Sequence, residues 1–159
     1  MPKAKKKKPV VTIGVDSSTT NCGIAVFEDG TLKMTCNHKF PGTYSLDKLR
    51  DITKTFESIF DEHSPSMVIL ETPAPVRNSK TLTALNQVAG AIWATAVTRD
   101  IFIDDMHNKI IKKLMGTKTK EDAIEKVEEL FGIKVETDHE ADAVLTVEAY
   151  RIHFEQNGL

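Results

Sequence analysis

The feature that most constrains this chain is an abrupt change of period in its apolar residues. Up to Phe40 they fall in short, β-branched runs; from Leu46 they recur every three or four residues. Val10 to Val15 (Val-Val-Thr-Ile-Gly-Val) reads as a buried central strand. It ends at Asp16 and a polar turn, Ser17 to Asn21. Cys22 to Phe27 reads as a second strand, and Glu28-Asp29-Gly30 as a hairpin turn. Thr31 to Phe40 follows as a third, with Leu32, Met34 and Cys36 alternating onto one face. Two hairpins in succession predict a three-stranded antiparallel meander.

Beyond the change of period, Leu46, Leu49, Ile52, Phe56, Ile59 and Phe60 mark an amphipathic helix. Met67 to Leu70 is a short apolar strand that stops at Glu71. A Pro-rich loop, Thr72-Pro73-Ala74-Pro75, leads to a cap at Asn78 or Ser79 and a helix carrying Leu82, Leu85, Ala89, Ile92, Trp93 and Ala96. Ile101 to Ile103 reads as a fifth strand and Asn108 to Leu114 as a short helix broken near Gly116. Lys118 or Thr119 opens the next helix, which Gly132 caps. Thr137 and Glu140 form a capping box for the last, with Ala143, Val147, Tyr150 and Phe154 along one side. The order β-β-β-α-β-α-β-α-α predicts an α/β sheet, part antiparallel and part parallel, with helices on its faces.

Three carboxylates stand where a packed core disfavours them. Asp16 and Glu71 directly follow buried strands, and Asp142 lies among alanines and valines of the last helix. If the first and fourth strands are neighbours, Asp16 and Glu71 point into one small volume. Close carboxylates repel, and a divalent cation relieves the repulsion; oxygen donors suit Mg²⁺ or Mn²⁺. Singly, each has an ordinary explanation as a turn residue, a surface charge or a solvated helix position. The combination is more specific.

Composition limits the alternatives. A chain of 159 residues with 40% hydrophobic and 28% charged content fits one domain. No apolar run approaches a membrane span, and the basic N-terminus lacks a secretory apolar stretch. Cys22 and Cys36 read as reduced thiols, pointing to a cytoplasmic setting. Net charge is -2, yet Lys3, Lys5, Lys6, Lys7 and Lys8 crowd the start. Residues 1–9 therefore read as a disordered basic tail, able to dock on phosphates or act as an address, and 10–159 as a single domain.

Four segments carry a resemblance: Ile13-Gly14-Val15-Asp16 with Gly23; Val68-Ile69-Leu70-Glu71; Leu85-Asn86-Gln87-Val88-Ala89-Gly90; and His139-Glu140-Ala141-Asp142-Ala143. From about Val10 to Tyr150 the sequence resembles the RuvC family of Holliday-junction resolvases. The resemblance implies a ribonuclease-H-like fold, a five-stranded mixed sheet with helices on both faces, and four metal-binding residues. The family's first-strand aspartate matches Asp16, its fourth-strand glutamate Glu71, and its last-helix pair His139 and Asp142. Asp138 is the alternative to His139, since i, i+3 and i, i+4 both share a helix face. Neutral imidazole suits Mn²⁺ better than Mg²⁺, and protonated His139 would repel metal, so activity should fall below about pH 6.

Such a cluster supports two-metal phosphodiester hydrolysis, with Asp16 bridging two ions. The family implies nicks with 5′-phosphate and 3′-hydroxyl ends, and a homodimer whose candidate interface is the helix bearing Trp93. Lys112, Lys113, Lys118 and Lys120 are candidate DNA contacts, aided by the helix N-terminus they precede; Arg77 and Lys80 are further candidates. Some related resolvases place an aromatic wedge after the fourth-strand glutamate. Thr72 to Val76 has none, which points to flapped and forked DNA beside the four-way junction. Two rival readings stand beside this one. Ile13 to Thr20 also looks like the phosphate loop of actin-like and sugar-kinase domains, and a catalytically silent branched-DNA adaptor would be marked by a missing carboxylate.

Overall fold

The computed structural model describes residues 4–157. Lys3 of the basic run lies outside the described residues, and residues 4–10 enter no helix or strand. Ten elements follow: β1 (Val11–Ser17), β2 (Asn21–Glu28), β3 (Thr31–Lys39), α1 (Leu46–His63), β4 (Met67–Thr72), α2 (Ser79–Val97), β5 (Phe102–His107), α3 (Asn108–Met115), α4 (Lys120–Phe131) and α5 (Asp138–Gln156). The sheet order is β3-β2-β1-β4-β5. β1 pairs antiparallel with β2 and parallel with β4, so the strand ending near Asp16 is central and adjoins the strand bearing Glu71.

The two-residue period of each strand sorts the core into two layers. Val11, Ile13 and Val15 of β1 join Val68 and Leu70 of β4 against Ile52, Phe56 and Phe60 of α1 and Val88 and Ile92 of α2. Ile69, Ala25 and Phe27 face the opposite way, onto Ile111 of α3, Val127 of α4 and Ala143 and Leu145 of α5. The mixed sheet with helices on both faces is thus the expected architecture.

Several details differ from the sequence expectation. Leu32 pairs with Phe27 while Met34 pairs with Val26, so Lys33 is an extra residue in β3. This β-bulge reverses the alternation. Leu32 packs on the α5 side, Cys36 on the α1 side, and Met34 is 42% exposed. Leu46 begins α1 but is 72% exposed, because the apolar stripe engages only from the following turn. β5 runs to His107 rather than stopping at Ile103. As an edge strand it tolerates Asp104 and Asp105, which in a central strand would be costly. α5 is buried on more than one side: Ala141, Val144 and Ala149 join Ala143, since it lies between the sheet and helices α3 and α4.

Candidate metal centre

Strand parity builds the first half of the site. Gly14 is the register partner of Ile69 across β1 and β4. Two residues further along each strand, on the same face, stand Asp16 and Glu71. Both turn toward α5 rather than into the α1–α2 layer. The second half depends on how closely α5 approaches. A Cβ at Gly14 would collide with the Ala143 carbonyl and lie 2.7 Å from Val147 Cγ2. A Cβ at Gly23 would collide with the His139 carbonyl. These two glycines let the helix backbone rest on β1 and β2. Since Gly23 pairs with Asp16, the crossing point sets His139 over Asp16.

One oxygen each of Asp16, Glu71 and Asp142 lie within 4.8 Å of one another. His139 Nδ1 is 3.1 Å from Asp16 Oδ2. Asp138 Oδ2 lies 3.7 Å from Lys120 Nζ, and Asp138 shares a groove with Asp142. Glu140 belongs to the helix start and not to the cluster. Its Oε2 accepts from the Thr137 amide at 3.1 Å, and its Oε1 accepts from the Thr35 hydroxyl at 2.9 Å. The capping box expected at Thr137 therefore also ties α5 to β3.

Crowding shows in the protonation of the carboxyls. Burial, then the charges of Asp16 and Asp142, push Glu71 up to about 9. Burial, then Asp16 and Asp138, push Asp142 up to about 7. His139 moves upward from the ordinary imidazole value, chiefly through its hydrogen bond with Asp16. Glu71 Oε1 accepts from Asn108 Nδ2 at 2.5 Å, while Glu71 Oε2 is buried with no hydrogen-bond partner. A buried carboxylate oxygen without a donor is costly, and three such groups in one volume more so. Hard oxygen donors in this number fit a Mg²⁺- or Mn²⁺-like cation.

The sequence marks Asn108 only as the start of a short helix, and α3 does begin there. Its N-cap is His107, whose Nδ1 accepts from the Lys109 amide at 3.3 Å. That leaves the Asn108 amide free to turn onto Glu71. A helix start directly after a strand that pairs with β4 was the available signal.

The basic candidates separate into groups. Lys112, Lys118 and Lys120 line one groove of about 470 Å³ with Asn108, Asp138 and Asp142. Lys113 is exposed and does not line it. Lys80 lines a second groove with Tyr44 and Gln87, and Arg77 is exposed in the loop before α2. At the α4 N-terminus, expected to favour phosphate, the two amides just before the helix are already taken. Asp122 Oδ2 accepts from the amides of Lys118 at 2.9 Å and Thr119 at 3.0 Å. The Ser17–Asn21 turn is likewise closed on itself, with Ser18 Oγ accepting from the amides of Thr20 and Asn21.

A sequence model described as "Crossover junction endodeoxyribonuclease RuvC" matches residues 12–148. Crossover junction endodeoxyribonuclease RuvC of Pelodictyon phaeoclathratiforme (strain DSM 5477 / BU-1) is 25% identical over 114 residues, 69% of this chain and 60% of that protein. The matched region is thus less than two thirds of that curated relative's length. Among solved structures, T. thermophilus RuvC in complex with a Holliday junction substrate superposes with a TM-score of 0.78 at 16% identity, covering 92% of this chain and 96% of that one. The yeast mitochondrial Holliday junction resolvase gives a TM-score of 0.65 at 11% identity, over 92% of this chain and 80% of that one. These likenesses show that the fold is ribonuclease-H-like.

Proposed function

The chain belongs to the RuvC family, and from that premise we propose that it is a metal-dependent endonuclease that nicks branched DNA and resolves four-way junctions. The observation that carries this reading is the convergence of Asp16, Glu71 and Asp142, with Glu71 Oε2 buried and unpartnered. In this reading Asp16, Glu71, His139 and Asp142 are the ligands, and Asp138 is not. Two bound divalent ions, Mg²⁺ or Mn²⁺, would supply a water of lowered pKa and neutralise charge on the scissile phosphate.

The chain's own residues supply position and charge. Asp16 has Glu71 and Asp142 within 4.8 Å and His139 at 3.1 Å, the situation of a shared ligand. When His139 Nδ1 donates to Asp16, the neutral ring keeps its lone pair on Nε2. Asn108 holds Glu71 in one orientation through Oε1, leaving Oε2 for the site. Lys112, Lys118 and Lys120 line a groove that also contains Asp142, and this is where the phosphates flanking the cut would lie. Lys113, Arg77 and Lys80 extend the basic surface, and the Lys3–Lys8 run adds charge outside the domain of residues 10–159. The products are 5′-phosphate and 3′-hydroxyl ends.

Symmetric nicking of opposite strands calls for two sites, and a homodimer provides them. After Lys80, α2 carries no charged residue as far as Val97, which is 60% exposed. The part of α2 bearing Trp93 and Val97, beyond the groove lined by Lys80 and Gln87, is the proposed self-association surface. No described helix is long and apolar enough to cross a membrane.

The test offers purified full-length protein a labelled four-way junction, a flap and a linear duplex, each with Mg²⁺, Mn²⁺ or a chelator. Paired nicks in the junction, absent in chelator and in Asp16→Asn, are expected. Metal-independent cleavage, or cleavage surviving Asp16→Asn, would overturn the reading.

A further inference from the structure

The loops at the metal end of the sheet offer little to stack on a base. Residues 73–78, after Glu71, contain no aromatic, and Phe40 is buried. Tyr44 is different. It lies in the loop between β3 and α1, half-exposed, with one face against the α1–α2 core. The Phe40 amide donates to the Thr20 carbonyl at 2.8 Å, which ties this loop to the turn following Asp16. Between that turn, Tyr44 and the first turns of α2 runs a mostly apolar groove of about 470 Å³.

The polar groups of the groove are few and specifically placed. The Tyr44 hydroxyl donates to Gln87 Oε1 at 2.8 Å. This fixes the amide so that its two N–H donors are not used by the tyrosine. Ala84, buried beneath, and the methyl groups of Thr19 and Thr43 supply apolar wall. Lys80 is the single charged residue lining the groove. An aromatic ring, a fixed amide donor and a lone ammonium match a nucleobase with its phosphate: the ring stacks, the amide meets carbonyl or ring-nitrogen acceptors, and the ammonium meets the backbone.

The geometry points to this groove as a pocket for one unstacked nucleobase of the bound DNA, three residues along the chain from Asp16. Its Tyr44 ring supplies the stacking surface, and its Gln87 amide selects among bases at that position. The inference rests on the branched-DNA reading above and names how that substrate is held.

The test places 2-aminopurine in turn at each position within three nucleotides of the crossover in a four-way junction. Full-length protein binds each junction in chelator, so no cleavage intervenes. Fluorescence should rise at one position as that base leaves the stack. Thr83→Trp, which fills the groove from an exposed position, should abolish the rise. Gln87→Leu should flatten the cleavage preference for the base at that position by roughly tenfold in Mg²⁺, and it carries the test if Thr83→Trp fails to fold. If junctions are bound and cleaved but no position brightens, or both variants behave as wild type, the pocket is wrong and the resolvase reading stands. If no junction is bound at all, the resolvase reading fails and takes the pocket with it.

Discussion

Replacing Glu71 by glutamine tests whether the site is a set of repelling charges awaiting a cation. In the fold the Glu71 carboxyl moves from 4.5 to about 9, first by burial and then by the charges of Asp16 and Asp142. At pH 7 the unfolded chain carries this group charged and the fold carries it protonated. Taking up that proton costs the fold about 3 kcal/mol, at about 1.4 kcal/mol for each pH step between 4.5 and 7. Glutamine is neutral in both states, so Glu71→Gln should stabilise the metal-free protein by up to about 3 kcal/mol. For a chain of this length that raises Tm by roughly 6 to 12 °C. Packing is conserved: the amide oxygen still accepts from Asn108, and the new N–H groups face the carboxylates of Asp16 and Asp142.

The sign with pH is definite. A raised carboxyl pKa favours the fold below the unfolded value and disfavours it progressively as pH rises toward the folded value. The stability difference between Glu71→Gln and wild type should therefore vanish near pH 4 and grow through pH 7. Differential scanning fluorimetry in chelator, from pH 4 to 9, reads this directly. With Mg²⁺ or Mn²⁺ the wild type should gain stability by mass action, and the variant should gain little and cleave nothing. A variant that melts below wild type in chelator at pH 7, or that keeps the wild-type response to metal, would refute the reasoning.

Other perturbations probe the remaining parts of the site. Gly23→Ala drives a methyl into the His139 carbonyl and should destabilise the protein by about 3 kcal/mol or more, seen as a lowered urea midpoint, with His139 displaced and cleavage lost. Asn108→Ala removes the hydrogen bond holding Glu71 and should weaken metal affinity by roughly 10- to 100-fold in calorimetric titration. Lys112→Ala should weaken junction binding and reduce the slope of log K against log salt by about 0.9, whereas Lys113→Ala, outside the groove, should change it less. Because Glu71, Asp142 and His139 all hold protons above their ordinary values, metal binding must release protons. Apparent affinity should therefore rise from pH 6 to 9, and calorimetry in two buffers of different ionisation enthalpy should report that release.

What was legible in the sequence followed from periodicity. The parity of Val-Val-Thr-Ile-Gly-Val places Asp16 opposite the apolar face, and the same parity in Met-Val-Ile-Leu places Glu71, so adjacency of β1 and β4 sufficed to join them. The sequence favours His139 over Asp138 only by register, because both share a face with Asp142. The choice depends on where α5 crosses the sheet, which Gly23 sets from another strand. The bulge at Lys33 carried no glycine or proline to announce it. Asn108 was hidden because an asparagine at a helix start looks like a cap, whereas the cap of α3 is His107. The capture of the Lys118 and Thr119 amides by Asp122 belongs to a capping box written with aspartate, where glutamate or glutamine is the usual signal.

These misses share a cause. Period and capping are local properties of one segment, whereas Asn108 and the amides just before α4 acquire their roles from partners set by packing or by competing local hydrogen bonds. The cluster itself illustrates the point. Asp16, Glu71 and Asp142 each look tolerable alone, and only their convergence makes them a liability to the metal-free fold. Such an arrangement persists because the surrounding structure over-determines it: the pairing of β1 with β4, the two glycines under α5, and Glu140 binding both the Thr137 amide and the Thr35 hydroxyl. The helix carrying His139 and Asp142 thus starts one residue before the site, held at its first turn to an edge strand. Loosening any of these three supports would let the carboxylates separate, relieving the repulsion and dispersing the oxygen donors together.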